Sequence, residues 1–141
     1  MNKKELIAPC GIDCFNCPVY ECNITGEIRK AMAASRGVKE DEVPCKGCLA
    51  QKGHFPWLAQ CATYECVTQK GFRFCFECGE FPCSKLQPLA EGANHYPHNL
   101  KVYNLCRMKT VGVKQWAEKE SLDIRNKYYK GKFKIGAGPQ L

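Results

Sequence analysis

The chain has 141 residues, and its length and apolar content predict one domain with a modest core, while twelve cysteines predict that cross-links supplement that core. The formal net charge of +7 leaves nucleic acid open as a partner. No apolar run approaches the roughly 20 residues of a membrane helix, and none follows the N-terminal lysines as a secretory signal requires. We therefore expect a soluble, cytoplasmic protein whose thiols stay reduced and bind metal.

The first part of the chain, residues 8–90, is a cysteine-rich body that opens with three cysteines in the spacing C-x3-C-x2-C. A helix is predicted to begin at "CPVYEC", because Asn16 can cap it and Pro18 suits its first turn. The segment "TGEIRKAMAASRG" predicts a second helix that stops at Gly37. Its apolar residues recur at helical spacing, and we expect them to belong to the core.

The rest of the body alternates short elements with cysteine pairs. The segment "FPWLAQCATYECVTQKG" predicts a helix that begins after Pro56 and ends at Gly71. "FRF" predicts a short strand, "SKLQPLAEG" a short helix disturbed by Pro88, and "NHYPHN" a loop.

The C-terminal segment, residues 98–130, has apolar residues such as Trp116 in helical register around a weak point at Gly112. It predicts one or two helices packed on the body, followed by a frayed tail over residues 131–141. The whole chain, residues 1–141, is thus expected to be a small metal-stapled single domain. Its predicted class is mostly α, with irregular zinc-knuckle loops and at most short β pieces.

Three C-x2-C pairs, "CFNC", "CKGC" and "CFEC", indicate metal binding. A tight turn between such cysteines points both sulfurs at one ion, and its amide groups can donate hydrogen bonds to the thiolates. Cys22 and Cys106 are interpreted instead as small buried hydrophobic residues. The candidate metal ligands are Cys10, Cys14, Cys17, Cys45, Cys48, Cys61, Cys66, Cys75, Cys78 and Cys83.

A tetrahedral zinc site needs two such pairs, or one pair with two single cysteines, so about two or three zinc ions are expected. The economical pairing assigns to one ion Cys14, Cys17, Cys45 and Cys48. A second ion then takes Cys75, Cys78 and Cys83 with either Cys66 or Cys61. In this pairing Cys10 is left over or substitutes for another ligand.

The motifs "CGIDCFNCP", "CKGC", "C-x4-C-x3-KG" and "C-x2-C-x2-FPC" together resemble the Domain of Unknown Function 3795 family of small prokaryotic cysteine-rich proteins. The resemblance runs from about Cys10 to Leu86, and "SLDIR" near the end is similar to the closing helix of that family. It implies a cysteine-rich fold that binds zinc, and it implies no reaction.

Iron–sulfur clusters are the alternative to zinc. The spacing C-x3-C-x2-C also holds the cluster of radical S-adenosylmethionine enzymes, but those enzymes need a large barrel of alternating strands and helices that this chain does not predict. A ferredoxin-like cluster is a stronger alternative, although the contiguous C-x2-C-x2-C-x3-C-P series is absent. An iron–sulfur redox or electron-transfer protein therefore remains open beside zinc.

Catalysis has little support in this sequence. All-cysteine zinc sites are generally closed and structural, the acidic residues are scattered, and no phosphate-binding glycine loop occurs. Cys106, beside Arg107, is the one candidate for a nucleophilic thiol. The sequence therefore favours a binding module that acts on a protein partner over an enzyme.

Nucleic acid is the third hypothesis, through the basic C-terminal half with its interleaved aromatic residues. The basic residues are Arg107, Lys109, Lys114, Arg125, Lys127, Lys130, Lys132 and Lys134. Metal would reduce the basicity, because four thiolates and one Zn²⁺ add about −2 per site and two sites would lower +7 to about +3. No membrane partner is expected.

Overall fold

A computed structural model describes residues 2–55, 57–58 and 60–140, and its regular structure is mostly helical. The α-helical segments are α1 Gly26–Arg36, α2 Ala62–Gln69, α3 Lys101–Val111, α4 Val113–Gln115 and α5 Ser121–Lys130. A π-helical turn, Trp116–Glu120, joins α4 to α5. Two strands, β1 Lys132–Lys134 and β2 Gly138–Gln140, pair antiparallel. The predicted class, mostly α with short β pieces, is confirmed.

The cysteine-rich body is built mainly from turns and single 3₁₀ turns. Those within residues 2–100 are Lys3–Leu6, Cys14–Asn16, Glu40–Glu42, Cys75–Glu77, Ser84–Leu86 and Pro97–Leu100. The helix predicted at "CPVYEC" is wrong. Its backbone instead pairs with Cys45, whose N–H donates to the Val19 carbonyl (2.8 Å) and whose carbonyl accepts from the Glu21 N–H (2.8 Å). Backbone groups committed to a distant segment are not available for helical hydrogen bonds.

Helix α1 confirms the prediction made from "TGEIRKAMAASRG". The Thr25 hydroxyl caps it by accepting from the Ile28 N–H (3.2 Å), and Gly37 ends it in the left-handed region at φ +65°. Ala33 is buried, and the predicted apolar stripe around it is half-buried.

Helix α2 is shorter than predicted. It begins at Ala62 because the preceding chain turns back on itself, with Phe55 and Leu58 paired in an isolated bridge. The predicted start after Pro56 is therefore wrong, and Pro56 itself lies outside the described residues. The end is close to the prediction, since α2 stops two residues before Gly71.

The "FRF" segment is not a strand, because its backbone donors have other partners. The Phe72 N–H donates to the Val67 carbonyl (3.0 Å), and the Arg73 N–H donates to the Glu77 carboxylate (2.9 Å). The predicted helix at "SKLQPLAEG" is reduced to the 3₁₀ turn Ser84–Leu86. The predicted loop "NHYPHN" is partly correct, since its second half enters a 3₁₀ turn that leads into α3.

The C-terminal segment forms two helical stretches separated at Gly112, as predicted. Gly112 has φ +88° and ends α3, and the chain then continues through α4, the π-helical turn and α5. The tail is not frayed. Residues 132–140 form a hairpin in which Phe133 lies opposite Pro139.

The core joins both halves of the chain. Trp116, with no exposed surface, packs edge-to-face on Phe15 from the body, with ring centroids 6.5 Å apart. The described core cluster consists of Ile7, Phe15, Phe74, Leu86, Leu105, Met108, Trp116 and Ala117. Among the described helices, none is both long enough and apolar enough to cross a membrane.

Candidate functional site

Two of the C-x2-C pairs share one local geometry. Cys14 and Cys17 lie on a 3₁₀ turn in which the Cys17 N–H donates to the Cys14 carbonyl (3.0 Å). Cys75 and Cys78 repeat it, with the Cys78 N–H donating to the Cys75 carbonyl (3.2 Å). Each turn brings two thiols close together on one short segment.

The third pair, Cys45 and Cys48, turns through Gly47. Gly47 has φ +93°, a conformation that favours glycine, and a Cβ there would lie 3.0 Å from a Leu6 methyl carbon. The Gly47 N–H donates to Cys45 Sγ (3.3 Å). Amide-to-sulfur hydrogen bonds of this kind stabilise thiolates.

Four thiols line a cavity of about 220 Å³ next to α2. We call them the α2 cluster, and they are Cys66, Cys75, Cys78 and Cys83. Burial first, and then the proximity of Cys10 and of the other three thiols of the α2 cluster, raise the pKa of Cys75 to about 12. In the absence of a metal ion this half-buried thiol therefore keeps its proton at neutral pH.

A lysine–carboxylate pair lies beside the α2 cluster. Lys70 Nζ donates to Glu80 (2.5 Å) and also approaches Cys78 Sγ (3.5 Å). The hydrogen bond to Glu80, and next the one to Cys78, raises the pKa of Lys70, while Lys70 lowers the pKa of Glu80. A positive charge is thus held against one sulfur of the cluster.

A second group, which we call the N-terminal cluster, consists of Cys10, Cys14, Cys48 and Cys61. Burial raises the pKa of Cys48, and the proximity of the other three thiols, followed by that of Cys45, raises it further. Backbone bonds through Gly53 hold Cys48 and Cys61 close, since the Gly53 N–H donates to the Cys48 carbonyl (2.9 Å) and the Gly53 carbonyl accepts from the Cys61 N–H (3.1 Å). Burial likewise raises the pKa of Cys14 to about 12, opposed by a hydrogen bond from the Cys48 backbone.

Arg73 places a cation next to the N-terminal cluster. Its Nη2 donates to the carbonyls of Lys4 (2.7 Å) and Ile7 (2.9 Å), while its buried Nη1 has no hydrogen-bond partner among the described residues. Burial lowers the pKa of Arg73, and the nearby Cys48, Glu77 and Cys14 oppose that shift in this order. The guanidinium is therefore fixed where negative charge on these thiols would stabilise its positive charge.

Cys17 and Cys45 form a third, smaller group beside a buried ion pair. Arg125 Nη2 donates to Asp13 Oδ1 (2.5 Å), and Asn16 Nδ2 donates to Asp13 Oδ2 (2.8 Å). Burial raises the pKa of Cys17, opposed first by a hydrogen bond from the Val19 backbone and then by the charge of Arg125. Burial also raises the pKa of Cys45 to about 11, opposed by the Gly47 N–H.

The ion pair was not predicted from the sequence, although both partners stand inside conspicuous motifs. Asp13 is the acidic residue of "CGIDC", and Arg125 is the basic residue of "SLDIR". The single carboxylate within the otherwise uncharged motif "CGIDC" was the available signal. Nothing in the sequence paired the two, because they are 112 positions apart.

All twelve cysteines are free thiols. The interpretation of Cys22 and Cys106 as buried hydrophobic residues is wrong, since both are exposed. Across residues 2–55, 57–58 and 60–140, no three Cys, His, Asp or Glu side chains converge closely enough to hold a metal ion. The clusters thus gather the predicted ligands without closing on a common point.

Comparison with known proteins identifies a family. No curated protein and no solved structure matches this chain. The model of the family described as "Protein of unknown function (DUF3795)" matches residues 6–88, which is more than half of the chain. The matched range contains every cysteine of the α2 cluster, the N-terminal cluster and the third group. The chain therefore belongs to this family of unknown function, DUF3795.

Proposed function

We propose that this protein is a cysteine-rich binding module that folds around structural zinc ions. The observation that carries the proposal is the α2 cluster, in which four thiols from three short segments line one cavity. Four thiolates complete a tetrahedral zinc site. Such a site is closed and offers no position to a substrate, so its role is to hold the segments together.

The chemistry of these donors fits zinc. Thiolates are the soft ligands that Zn²⁺ selects, and the Gly47 N–H already donates to Cys45 Sγ. Burial raises the pKa of Cys14 and of Cys75, so both thiols are neutral without a bound metal ion. A bound Zn²⁺ reverses this preference by stabilising the thiolate, with release of the protons.

The grouping of the thiols suggests a ligand assignment for two ions, in which each cluster closes around its ion on binding. One ion takes the α2 cluster, and the other takes the N-terminal cluster of Cys10, Cys14, Cys48 and Cys61. This differs from the economical pairing of Cys14, Cys17, Cys45 and Cys48. The Gly53 backbone bonds, which join Cys48 to Cys61, are the observation that favours Cys61 as a ligand in the N-terminal cluster. Cys17 and Cys45 then remain as a half-site for a third ion.

Metal analysis of protein prepared anaerobically and without an affinity tag tests this proposal. We expect a colourless protein with about two zinc ions per chain, because each tetrahedral site uses four thiolates. Stoichiometric iron with visible absorbance would show that the protein holds an iron–sulfur cluster and would contradict the assignment of zinc. Protein that is folded and holds no metal at all would contradict the proposal.

Cysteine substitutions test the ligand assignment. Cys66→Ser should remove one ion, and Cys22→Ser, an exposed thiol outside the clusters, should retain the full complement. Cys61→Ser and Cys17→Ser separate the two pairings. Loss of an ion from Cys17→Ser and not from Cys61→Ser would restore the economical pairing.

A further inference from the structure

A groove of about 570 Å³ lies in the C-terminal half of the chain. It runs between α3, the end of the π-helical turn, α5 and the hairpin, and none of its described lining residues is a cysteine. The volume falls within the range of roughly 300–1,000 Å³ that is typical of small-molecule sites. An inference about this groove is therefore independent of the metal proposal.

Aromatic side chains form the walls of the groove. Tyr103 is 54% exposed and Phe133 is 75% exposed, although both line it. The Tyr128 hydroxyl donates to the Ala93 carbonyl (2.8 Å), which holds that ring against the groove. Phe133 is positioned by strand pairing opposite Pro139, which also lines the groove. Aromatic surface gathered from separate elements into one concave groove is typical of the lining of small-molecule sites.

The charges of the groove do not cancel. Arg107 holds Glu120 through two hydrogen bonds (2.9 and 2.8 Å), and Lys127 holds Asp123 (2.9 Å). These two pairs account for both acidic residues that line the groove.

Two further lining lysines, Lys119 and Lys132, make no ion pair with any residue that the structure describes. Four cations against two anions leave the groove with a net charge of 4 − 2 = +2. The excess positive charge is complementary to an anionic ligand.

We propose that this groove binds a small organic anion with a flat apolar body. The apolar body lies between Tyr103 and Phe133, and the anionic group is recognised by Lys119 and Lys132. A nucleic-acid chain is the less suitable occupant, because it requires a continuous basic track and several of the basic residues here are already paired internally. At least Arg107, Arg125 and Lys127 are paired in this way.

Fluorescence titration of the full-length protein with 8-anilinonaphthalene-1-sulfonate tests the proposal. We expect one saturable site per chain, with affinity that falls as salt is added, because part of the attraction is electrostatic. N-phenyl-1-naphthylamine, which has the same ring system without the sulfonate, should bind more weakly and without salt dependence. Equal affinity for both probes would overturn the assignment of an anionic ligand.

The hairpin supplies matched variants. Phe133→Ala should weaken sulfonate binding by about five- to tenfold and Lys132→Gln by about two- to fivefold, as expected for loss of one aromatic or one ionic contact. Ile135→Ala and Lys134→Gln are the controls, because both residues belong to the same hairpin and do not line the groove, and Ile135 is 91% exposed. Neither control should change the affinity. Circular dichroism of each variant confirms that the helices are intact.

Two further results would overturn the proposal. Equal weakening by the controls and by the groove variants would show that the probe binds the hairpin surface without using the groove. Displacement of the probe by an unstructured oligonucleotide, with Lys134→Gln as damaging as Lys132→Gln, would assign the basic surface to nucleic acid instead.

Discussion

At the scale of single residues, the buried pair of Asp13 and Arg125 connects the cysteine-rich body to α5. Asp13 is 1% exposed, and its carboxylate accepts from Arg125 Nε and Nη2 and from Asn16. Burial alone would lower the pKa of Arg125, but the hydrogen bond and charge of Asp13 outweigh it and raise that pKa. The pair thus sets the position of the Cys14 turn relative to the last helix.

Arg125→Met should lower the free energy of unfolding by about 3–5 kcal/mol, because it leaves the Asp13 carboxylate buried without its counter-charge. Urea denaturation at saturating zinc measures the loss. The double variant Asp13→Asn with Arg125→Met should lose less free energy of unfolding than Arg125→Met alone, since it removes both charges. Lys127→Met, at an exposed ion pair with Asp123, should cost less than about 1 kcal/mol and is the control. If Arg125→Met lowered the free energy of unfolding no more than Lys127→Met, the buried pair would contribute little to stability.

At the scale of elements, Gly112 decides where the C-terminal helices divide. Its φ of +88° and ψ of 146° lie in a region that is essentially restricted to glycine, and a Cβ there would meet no atom within 4 Å. A substitution at this position therefore tests the backbone conformation without introducing a steric clash.

Gly112→Ala should destabilise the protein by about 1–3 kcal/mol, because alanine at this positive φ has a strained backbone. Thermal unfolding followed by circular dichroism checks this value. Gly26→Ala is the matched control, because a Cβ at Gly26 also meets no atom within 4 Å while its φ is not in the positive range. Gly26 lies in the first turn of α1, where alanine should be neutral or slightly stabilising. Equal effects at both glycines would mean that α3 and α4 can join without this break.

At the scale of the whole molecule, the apolar core and the cysteine clusters support the same segments. Phe15, Phe74 and Leu86 come from the body and pack with Leu105 and Trp116 from the C-terminal half. Each structural zinc ion contributes roughly 10–16 kcal/mol of apparent binding energy, against about 5–15 kcal/mol for the net stability of a typical domain. On the proposed function, the core alone is therefore insufficient to hold the body together.

Removal of the ions by a strong chelator under reducing conditions should unfold the body over residues 10–85, while the C-terminal helices keep part of their helicity. Circular dichroism and amide hydrogen exchange, with and without chelator, measure the two parts separately. Zinc competes with protons for the thiolates, so the stability of the metal-loaded protein should also fall as the pH is lowered. Slow exchange that persists throughout residues 10–85 after complete demetallation would show that burial and packing hold this fold.

The sequence by itself determined the features that depend on residues close together in the chain. Thr25 and Gly37 mark the ends of α1, Gly112 marks the break between helices, and the motif pattern identifies the family. Caps, glycine conformations and tight cysteine turns are set by local backbone geometry, which is why they could be predicted.

Only the tertiary structure decided what depends on distant segments. The bridge of Tyr20 to Cys45 replaces a predicted helix by turns, and the Asp13–Arg125 pair joins two motifs that no spacing rule connects. The grouping of Cys61 with the N-terminal cluster and of Cys66 with the α2 cluster likewise follows from where α2 begins and how it packs. A buried donor, acceptor or charge takes whichever partner the fold brings to it, and that choice is made across the whole chain rather than within a motif.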